Sequence, residues 1–166
     1  TIGIAGASDP HLENLMLNLG SQLGFMQTSP EDAMKRLVAG GSGPIYQICP
    51  AYRGGESGEN HNVEFTMLEW YRPEFSLQEL ICELQELIYS ICALQLQVIC
   101  YEEAFRRFCN VNVHGASIQE LKSLICREGL DHSHLSGKED ISDYLDLIFS
   151  MVVEKHLGAT IVTEFP

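Results

Sequence analysis

Basic residues are scarce in this sequence, and long apolar runs are missing from it. Lysine and arginine together number 10 against 23 acidic residues, which leaves a net charge of −13 over 166 residues. Because phosphate groups are bound mainly by lysine and arginine, this composition argues against direct nucleic-acid binding by this part of the protein. No apolar run approaches the roughly 18 residues that a membrane-spanning helix needs, so no membrane association is predicted.

The cysteines lack any pattern of their own. The six of them form no C-x-x-C pair and show no zinc-site spacing, so no metal ligand is predicted in this chain. Most stand in apolar runs, where a free thiol behaves as a small hydrophobic side chain. We therefore expect reduced structural cysteines and a cytoplasmic protein, since disulfides rarely persist in the cytosol.

The chain begins with Thr1 and stops within an apolar, β-prone run at residues 161–166. We expect it to be a piece of a longer protein. Its length is nevertheless sufficient for one domain with a sizeable core.

Local patterns predict a mixture of helices and strands. Residues 11–19 carry apolar side chains at helical spacing, and residues 23–27 are a strand candidate. Ser29 is suited to cap a helix that has Pro30 at its first position and stops at two consecutive glycines. In the second half, the S-x-x-E box at Ser76 predicts the start of a long helix, and residues 94–100 either extend that helix or form a strand. Further predicted elements are helices at 101–108, after Ser117 and at 141–156, and a strand at 159–165. We expect an α+β fold, an antiparallel sheet flanked by helices.

Two β-prone runs between residues 44 and 72 are joined by a polar, glycine-rich loop. Because side chains alternate between the faces of a strand, the odd-numbered residues of each run share one face. If the two runs pair so that these faces coincide, one sheet surface carries an amide, an arginine, a phenyl ring, a carboxylate and a phenol. A packed core has little use for that set, since buried polar groups need partners, whereas a nucleotide-sized ligand would use all of it. The alternative is an ordinary exposed turn with a solvated face. The residues concerned are Gln47, Cys49, Ala51, Arg53, Phe65, Met67, Glu69 and Tyr71.

The same stretch resembles a known family. The first run ends in Tyr52-Arg53-Gly54-Gly55, and the second reads HNVEFTMLEWYRP from His61. This resembles motif 2 of class II aminoacyl-tRNA synthetases of the lysine type. The ending WYRP, with GSGP before the first run, is similar to a narrower branch whose members attach (R)-β-lysine to a lysine of elongation factor P.

The resemblance implies a partial class II synthetase-like catalytic domain over residues 1–166, with its motif 2 hairpin at 44–72 and a helical insertion at about 76–157. It further implies ATP-dependent activation of lysine or β-lysine and transfer to elongation factor P. Arg53 would be catalytic, because its counterpart contacts the α-phosphate and an arginine fork neutralises the charge that develops there. The implied ATP-binding residues are Arg53, Gly54, Gly55, His61, Asn62 and Phe65.

For the amino acid, the resemblance implies contacts from Ser29, Pro30, Glu31 and Tyr71, with Glu31 able to pair with a substrate ammonium. Glu69 is a plausible orienting carboxylate on the same face. Magnesium is implied with its ligands outside this chain, as is a homodimer for the full-length protein.

The chain also departs from the family pattern. Gly55 stands where the family has a glutamate that reads the adenine amino group, and Val63 replaces a proline of the loop. Motifs 1 and 3 are not present in this sequence. Two alternatives therefore stay open: a fragment of a lysyl-tRNA synthetase, and a non-catalytic remnant that binds a nucleotide or a partner protein.

Overall fold

A computed structural model of the chain describes residues 2–3, 12–55, 61–131, 133–135 and 140–165. The chain divides into two compact units, Thr1–Ser76 and Leu77–Pro166. The division falls where the helical insertion is predicted to begin.

The first unit combines a small sheet, one helix and a hairpin. Its three-stranded sheet has the order β1-β3-β2 and is antiparallel throughout. The hairpin is a separate antiparallel pair, β4 with β5. The elements are β1 (Ile2–Gly3), β2 (Met16–Leu19), β3 (Gln22–Met26), α1 (Glu31–Ala39), β4 (Ile45–Tyr52) and β5 (Glu64–Tyr71).

The helix predicted at residues 11–19 is wrong, because residues 16–19 form strand β2. The strand turns directly into β3, with Leu19 paired to Gln22 across a two-residue connection. Gly20 has a φ of +69°, the left-handed conformation that tight hairpin turns require and that glycine adopts freely. The turn and the pairing with β3 outweighed the helical spacing of the apolar residues.

Helix α1 begins at Glu31, so Pro30 precedes the helix and does not occupy its first position as predicted. The Ser29 hydroxyl accepts a hydrogen bond from the Glu31 backbone N–H at 3.0 Å, which satisfies one free amide of the first turn. At the other end, Gly40 ends the helix and Gly41 continues with a φ of +89°.

The second unit is mainly helical. Its two short strands pair in parallel, a feature that the predicted antiparallel sheet did not include. For residues 94–100 the sequence predicted either a helix extension or a strand, and the structure contains a strand there. The elements are α2 (Leu77–Cys92), β6 (Gln97–Cys100), α3 (Tyr101–Cys109), α4 (Ile118–Arg127), a 3-10 turn (Ser133–Leu135), α5 (Ile141–Ile148), a π-helical segment (Phe149–Val153), α6 (Glu154–Leu157) and β7 (Thr160–Thr163).

The predicted capping box at Ser117 is confirmed. The Glu120 backbone N–H donates to the Ser117 hydroxyl, and the Ser117 backbone N–H donates to the Glu120 carboxylate. Hydrogen bonds from Ser117 lower the pKa of Glu120, because they favour its charged form.

The hydrophobic core of this unit gathers side chains from helices α3, α4 and α5. Phe105, Leu121 and Ile125 are completely buried, and Tyr101 packs its ring against Phe105 and Phe149 at 4.8 and 5.2 Å between centroids. Burial of such side chains is the main stabilising contribution in a unit of this size. Among the described helices, none combines the length and the apolar content needed to cross a membrane.

Candidate functional site

The register of the hairpin brings the two predicted faces together. Gln47 lies opposite Glu69, Cys49 opposite Met67, and Ala51 opposite Phe65. Directly opposed residues of an antiparallel pair project to the same side of the sheet. The odd-numbered residues of β4 and β5 therefore form one surface, which we call the odd face.

The odd face is the sheltered side of the hairpin. Ala51 is fully buried and Cys49 is 9% exposed, whereas Tyr46 and Ile48 on the opposite face are 74% and 63% exposed. The side chain of Gln27, which follows β3, donates to the Cys49 sulfur and to the Pro50 carbonyl, both at 3.2 Å. The rest of the first unit thus packs against the odd face and leaves its polar ends half-buried.

Arg53 and Phe65 lie side by side at one end of the odd face. The Arg53 backbone N–H donates to the Val63 carbonyl at 3.0 Å, which extends the hairpin ladder by one step and fixes where the side chain starts. The guanidinium stacks over the Phe65 ring at 5.3 Å from the centroid, a cation–π contact. The Arg53 Nε is buried and makes no hydrogen bond to the described part of the chain. A half-buried guanidinium with an unused donor is well suited to bind an anion.

The predicted loop residues lie next to this pair. Gly54 is buried and donates its N–H to the Glu13 carbonyl at 2.7 Å, and Gly55 has a φ of +72°. His61 and Asn62 are exposed at the far side of the loop, where their side chains are open to a ligand. Residues 56–60, the centre of the loop, lie outside the described residues.

A hydrogen-bonded group occupies the other end of the odd face. The Ser29 hydroxyl donates to one oxygen of the Glu69 carboxylate, and the Tyr71 hydroxyl donates to the other at 3.1 Å. Burial, followed by the hydrogen bond to Glu69 and its negative charge, raises the pKa of Tyr71 to about 12. Tyr71 is therefore a neutral donor at any physiological pH.

Two other predicted substrate residues are placed differently. Glu31 is exposed on the first turn of α1 and forms an ion pair with Lys35. The Pro30 side chain is less than 2% exposed, so packing at the helix start occupies nearly all of its surface. The half-buried carboxylate on the odd face is that of Glu69, which sequence reasoning noted but did not include among the substrate residues. The sequence did carry a signal for Glu69: it stands two residues before Tyr71 and so shares the same face of the strand.

The residues that the structure describes contain no evident magnesium site. There, no group of three or more histidine, cysteine, aspartate or glutamate side chains is arranged to hold a metal ion. We assign no magnesium ligand among these residues.

Comparison with known proteins gives one consistent family. The family described as tRNA synthetases class II (D, K and N) matches residues 5–166. A protein of Pseudoalteromonas translucida named elongation factor P–(R)-β-lysine ligase is 44% identical over 138 residues, which are 81% of this chain and 41% of that protein. Proteins of the same name from Edwardsiella ictaluri and Klebsiella pneumoniae are 40% and 38% identical, over 81% and 86% of this chain. The chain spans 41–45% of the length of these relatives.

Proposed function

The chain belongs to the class II tRNA synthetase family of the D, K and N type, and from this premise we propose that the full-length protein is an ATP-dependent ligase. It would activate lysine or (R)-β-lysine as an adenylate and transfer the acyl group to a lysine of elongation factor P. The names of the relatives that cover most of this chain support this substrate pair.

The proposal rests on one observation: the two ends of the odd face carry different chemical groups. A cation on an aromatic ring, Arg53 on Phe65, lies at one end, and the Ser29–Glu69–Tyr71 group lies at the other. Residues 65 and 69 are about 13 Å apart along the strand, at about 3.3 Å per residue. An anion-binding end and an ammonium-binding end at this separation suit a nucleotide joined to a basic amino acid.

Arg53 would act in the activation step. An oxygen of the substrate carboxylate attacks the α-phosphorus of ATP, the bond to the β-phosphate breaks, and pyrophosphate leaves. Charge grows on the α-phosphate oxygens during the attack, and a guanidinium fixed by the Phe65 ring stabilises it without further reorganisation. Phe65 would also offer its ring to the adenine base, and Gly54, Gly55, His61 and Asn62 would line the phosphates. Magnesium, when bound, would supply further charge neutralisation from ligands elsewhere in the protein.

Glu69 would hold the amino group of the substrate. Ser29 and Tyr71 each donate to it, so its two oxygens are fixed in orientation while the charge stays available to an ammonium. Glu31 could add a second carboxylate if it exchanged Lys35 for the substrate. In the transfer step, the amine of the acceptor lysine attacks the acyl carbon, loses a proton, and displaces AMP.

The proposal extends to the assembly and location of the protein. We propose a cytoplasmic, homodimeric ligase that acts on a protein acceptor without binding nucleic acid directly. The net charge of −13 supports the choice of acceptor, because it offers a tRNA backbone little attraction.

Pyrophosphate exchange on the full-length protein tests the activation step. We expect ATP–pyrophosphate exchange that depends on lysine or (R)-β-lysine, and acyl transfer to elongation factor P but not to lysine tRNA. Elongation factor P with its acceptor lysine changed to arginine is the matched control. Labelling of tRNA alone would favour a lysyl-tRNA synthetase, and no exchange with either amino acid would favour a non-catalytic remnant.

A further inference from the structure

The backbone around Arg53 is held at both edges of strand β4. The Arg53 N–H itself bonds to β5, whereas the Tyr52 N–H donates to the Gln27 carbonyl at 2.9 Å. On the other side of Arg53, the Gly54 N–H donates to the Glu13 carbonyl at 2.7 Å. Successive residues of a strand direct their backbone groups to opposite edges, so the outer edge of β4 is bonded on either side of the arginine. These contacts fix the point from which the Arg53 side chain starts.

Gln27 adds its side chain to the same outer edge. The Nε2 of Gln27 donates to the Pro50 carbonyl and to the Cys49 sulfur, both at 3.2 Å. Because proline has no N–H, the outer edge at position 50 offers only an acceptor, and a donor must meet it. Gln27 therefore bonds two successive outer-edge positions of β4, position 50 with its side chain and position 52 with its backbone, as a neighbouring strand would.

The short segment that contains Gln27 also serves the opposite end of the odd face. Two residues further on, the Ser29 hydroxyl donates to the Glu69 carboxylate. Thr28, between them, is 6% exposed, so the segment is anchored by burial as well as by its hydrogen bonds. The Gln27 side chain contacts β4 near Arg53, whereas the Ser29 side chain contacts β5. Removing one contact therefore leaves the other in place, and the two ends can be tested separately.

We propose that Gln27 is a positioning residue for Arg53. Its side-chain amide holds β4 at Pro50, three residues before the arginine, and so keeps the guanidinium over the Phe65 ring. A cation that is already in place binds a phosphate without further reorganisation. Gln27 itself touches neither the nucleotide nor the reacting atoms. This inference rests on the proposed use of Arg53 in binding ATP.

A double-mutant cycle in the full-length protein tests this role, with ATP and lysine affinities measured by calorimetry. Gln27→Met keeps the length of the side chain and removes its donor, so ATP binding should weaken about tenfold. In an Arg53→Ala background the same substitution should change ATP binding by less than about twofold, because no guanidinium is left to position. Lysine affinity should stay within about twofold in both backgrounds, since the contact of Ser29 with Glu69 remains.

Two further variants sharpen the comparison. Gln27→Glu has nearly the same shape, but an ionised carboxylate cannot donate to the Pro50 carbonyl, so the loss of ATP affinity should be at least as large as in Gln27→Met. Gln78→Met is the matched control. Gln78 also donates to a cysteine sulfur, that of Cys82 at 3.8 Å, but it lies on helix α2. Its substitution should change neither affinity.

Equal losses of ATP affinity in the two backgrounds would show that Gln27 only supports the fold, and would overturn the proposal. A parallel loss of lysine affinity, or an unchanged ATP affinity in Gln27→Met, would overturn it as well. ATP binding without amino-acid-dependent pyrophosphate exchange would contradict the proposed ligase function, while the cycle still tested Gln27. No ATP binding by the wild-type protein would overturn both.

Discussion

The two units of the chain use buried polar atoms in opposite ways. In the second unit, Tyr101 is 1% exposed within an aromatic cluster, and its hydroxyl has no hydrogen-bond partner among the described residues. In the first unit, the Arg53 Nε is equally without a partner, yet the side chain is only half-buried on the odd face. An unmet donor in a closed core destabilises the fold, whereas one on a half-buried side chain can be satisfied by a ligand.

The two units also differ in the kinds of side chain that they bury. The core of the second unit is a continuous cluster of apolar side chains. The odd face of the first unit instead places hydrogen-bonded groups such as Ser29, Glu69 and Tyr71 beside buried Cys49 and Ala51. The difference teaches that the second unit encloses a continuous apolar core, whereas the first keeps hydrogen-bonded polar groups on a half-buried face, as the proposed substrate site requires.

The largest expected effect concerns Arg53. In the full-length protein, Arg53→Ala should lower amino-acid-dependent pyrophosphate exchange about a hundred- to a thousandfold, because the charge forming on the α-phosphate loses its fixed donor. The fold should survive, since the side chain is half-buried and outside the apolar core. Exchange at the wild-type rate would refute the role given to Arg53.

Arg72 provides the matched control for that substitution. It follows β5 and also stacks on a phenylalanine, Phe75, at 5.4 Å from the ring centroid, but it lies beyond the end of the odd face. Arg72→Ala should therefore keep exchange within about twofold. A comparable loss in both variants would mean that arginine stacking, and not phosphate contact, accounts for the effect.

A second prediction concerns the apolar core. Leu121→Ala should lower the free energy of unfolding by about 2–5 kcal/mol, because a completely buried leucine leaves a cavity. Leu77→Ala, at a helical position that is 60% exposed in the same unit, should cost no more than about 0.5 kcal/mol. Urea denaturation of both variants measures the difference, and equal losses would contradict the assignment of the core.

The smallest predicted effect is on the titration of Tyr71. Its pKa of about 12 lies above the ordinary value of 10.0, so the folded state keeps the neutral phenol where the unfolded chain would ionise. The stability that this group contributes is therefore complete below pH 10 and is lost as the pH rises towards 12. Ultraviolet difference titration of wild type against Tyr71→Phe isolates this phenol from the other tyrosines.

Glu69→Gln sharpens the same measurement. The substitution removes the carboxylate charge that disfavours ionisation of the phenol, so the pKa of Tyr71 should fall, while burial keeps it above 10. Glu64→Gln, on the opposite face, should leave the pKa of Tyr71 unchanged. A Tyr71 pKa near 10 in the wild type would argue against the Ser29–Glu69–Tyr71 group.

Sequence reasoning succeeded where one short stretch carried the signal. The strand parity of Phe65 and Tyr71, the capping box at Ser117 and the glycine stop after α1 were all readable locally, and the structure has each of them. It failed at residues 16–19, where pairing with β3 overrode helical spacing, and it did not foresee the parallel pairing of β6 with β7. The roles of the site residues stay predictions.

The sequence by itself determined the hairpin, its two faces and the apolar stripes of the helices, because each depends on periodicity and turn chemistry within a few residues. Only the tertiary structure decided which distant groups meet: Ser29 with Glu69, and Glu13 with the glycines after Arg53. The physical reason is that such contacts depend on how strands pair and pack across tens of residues, and no local pattern records that pairing.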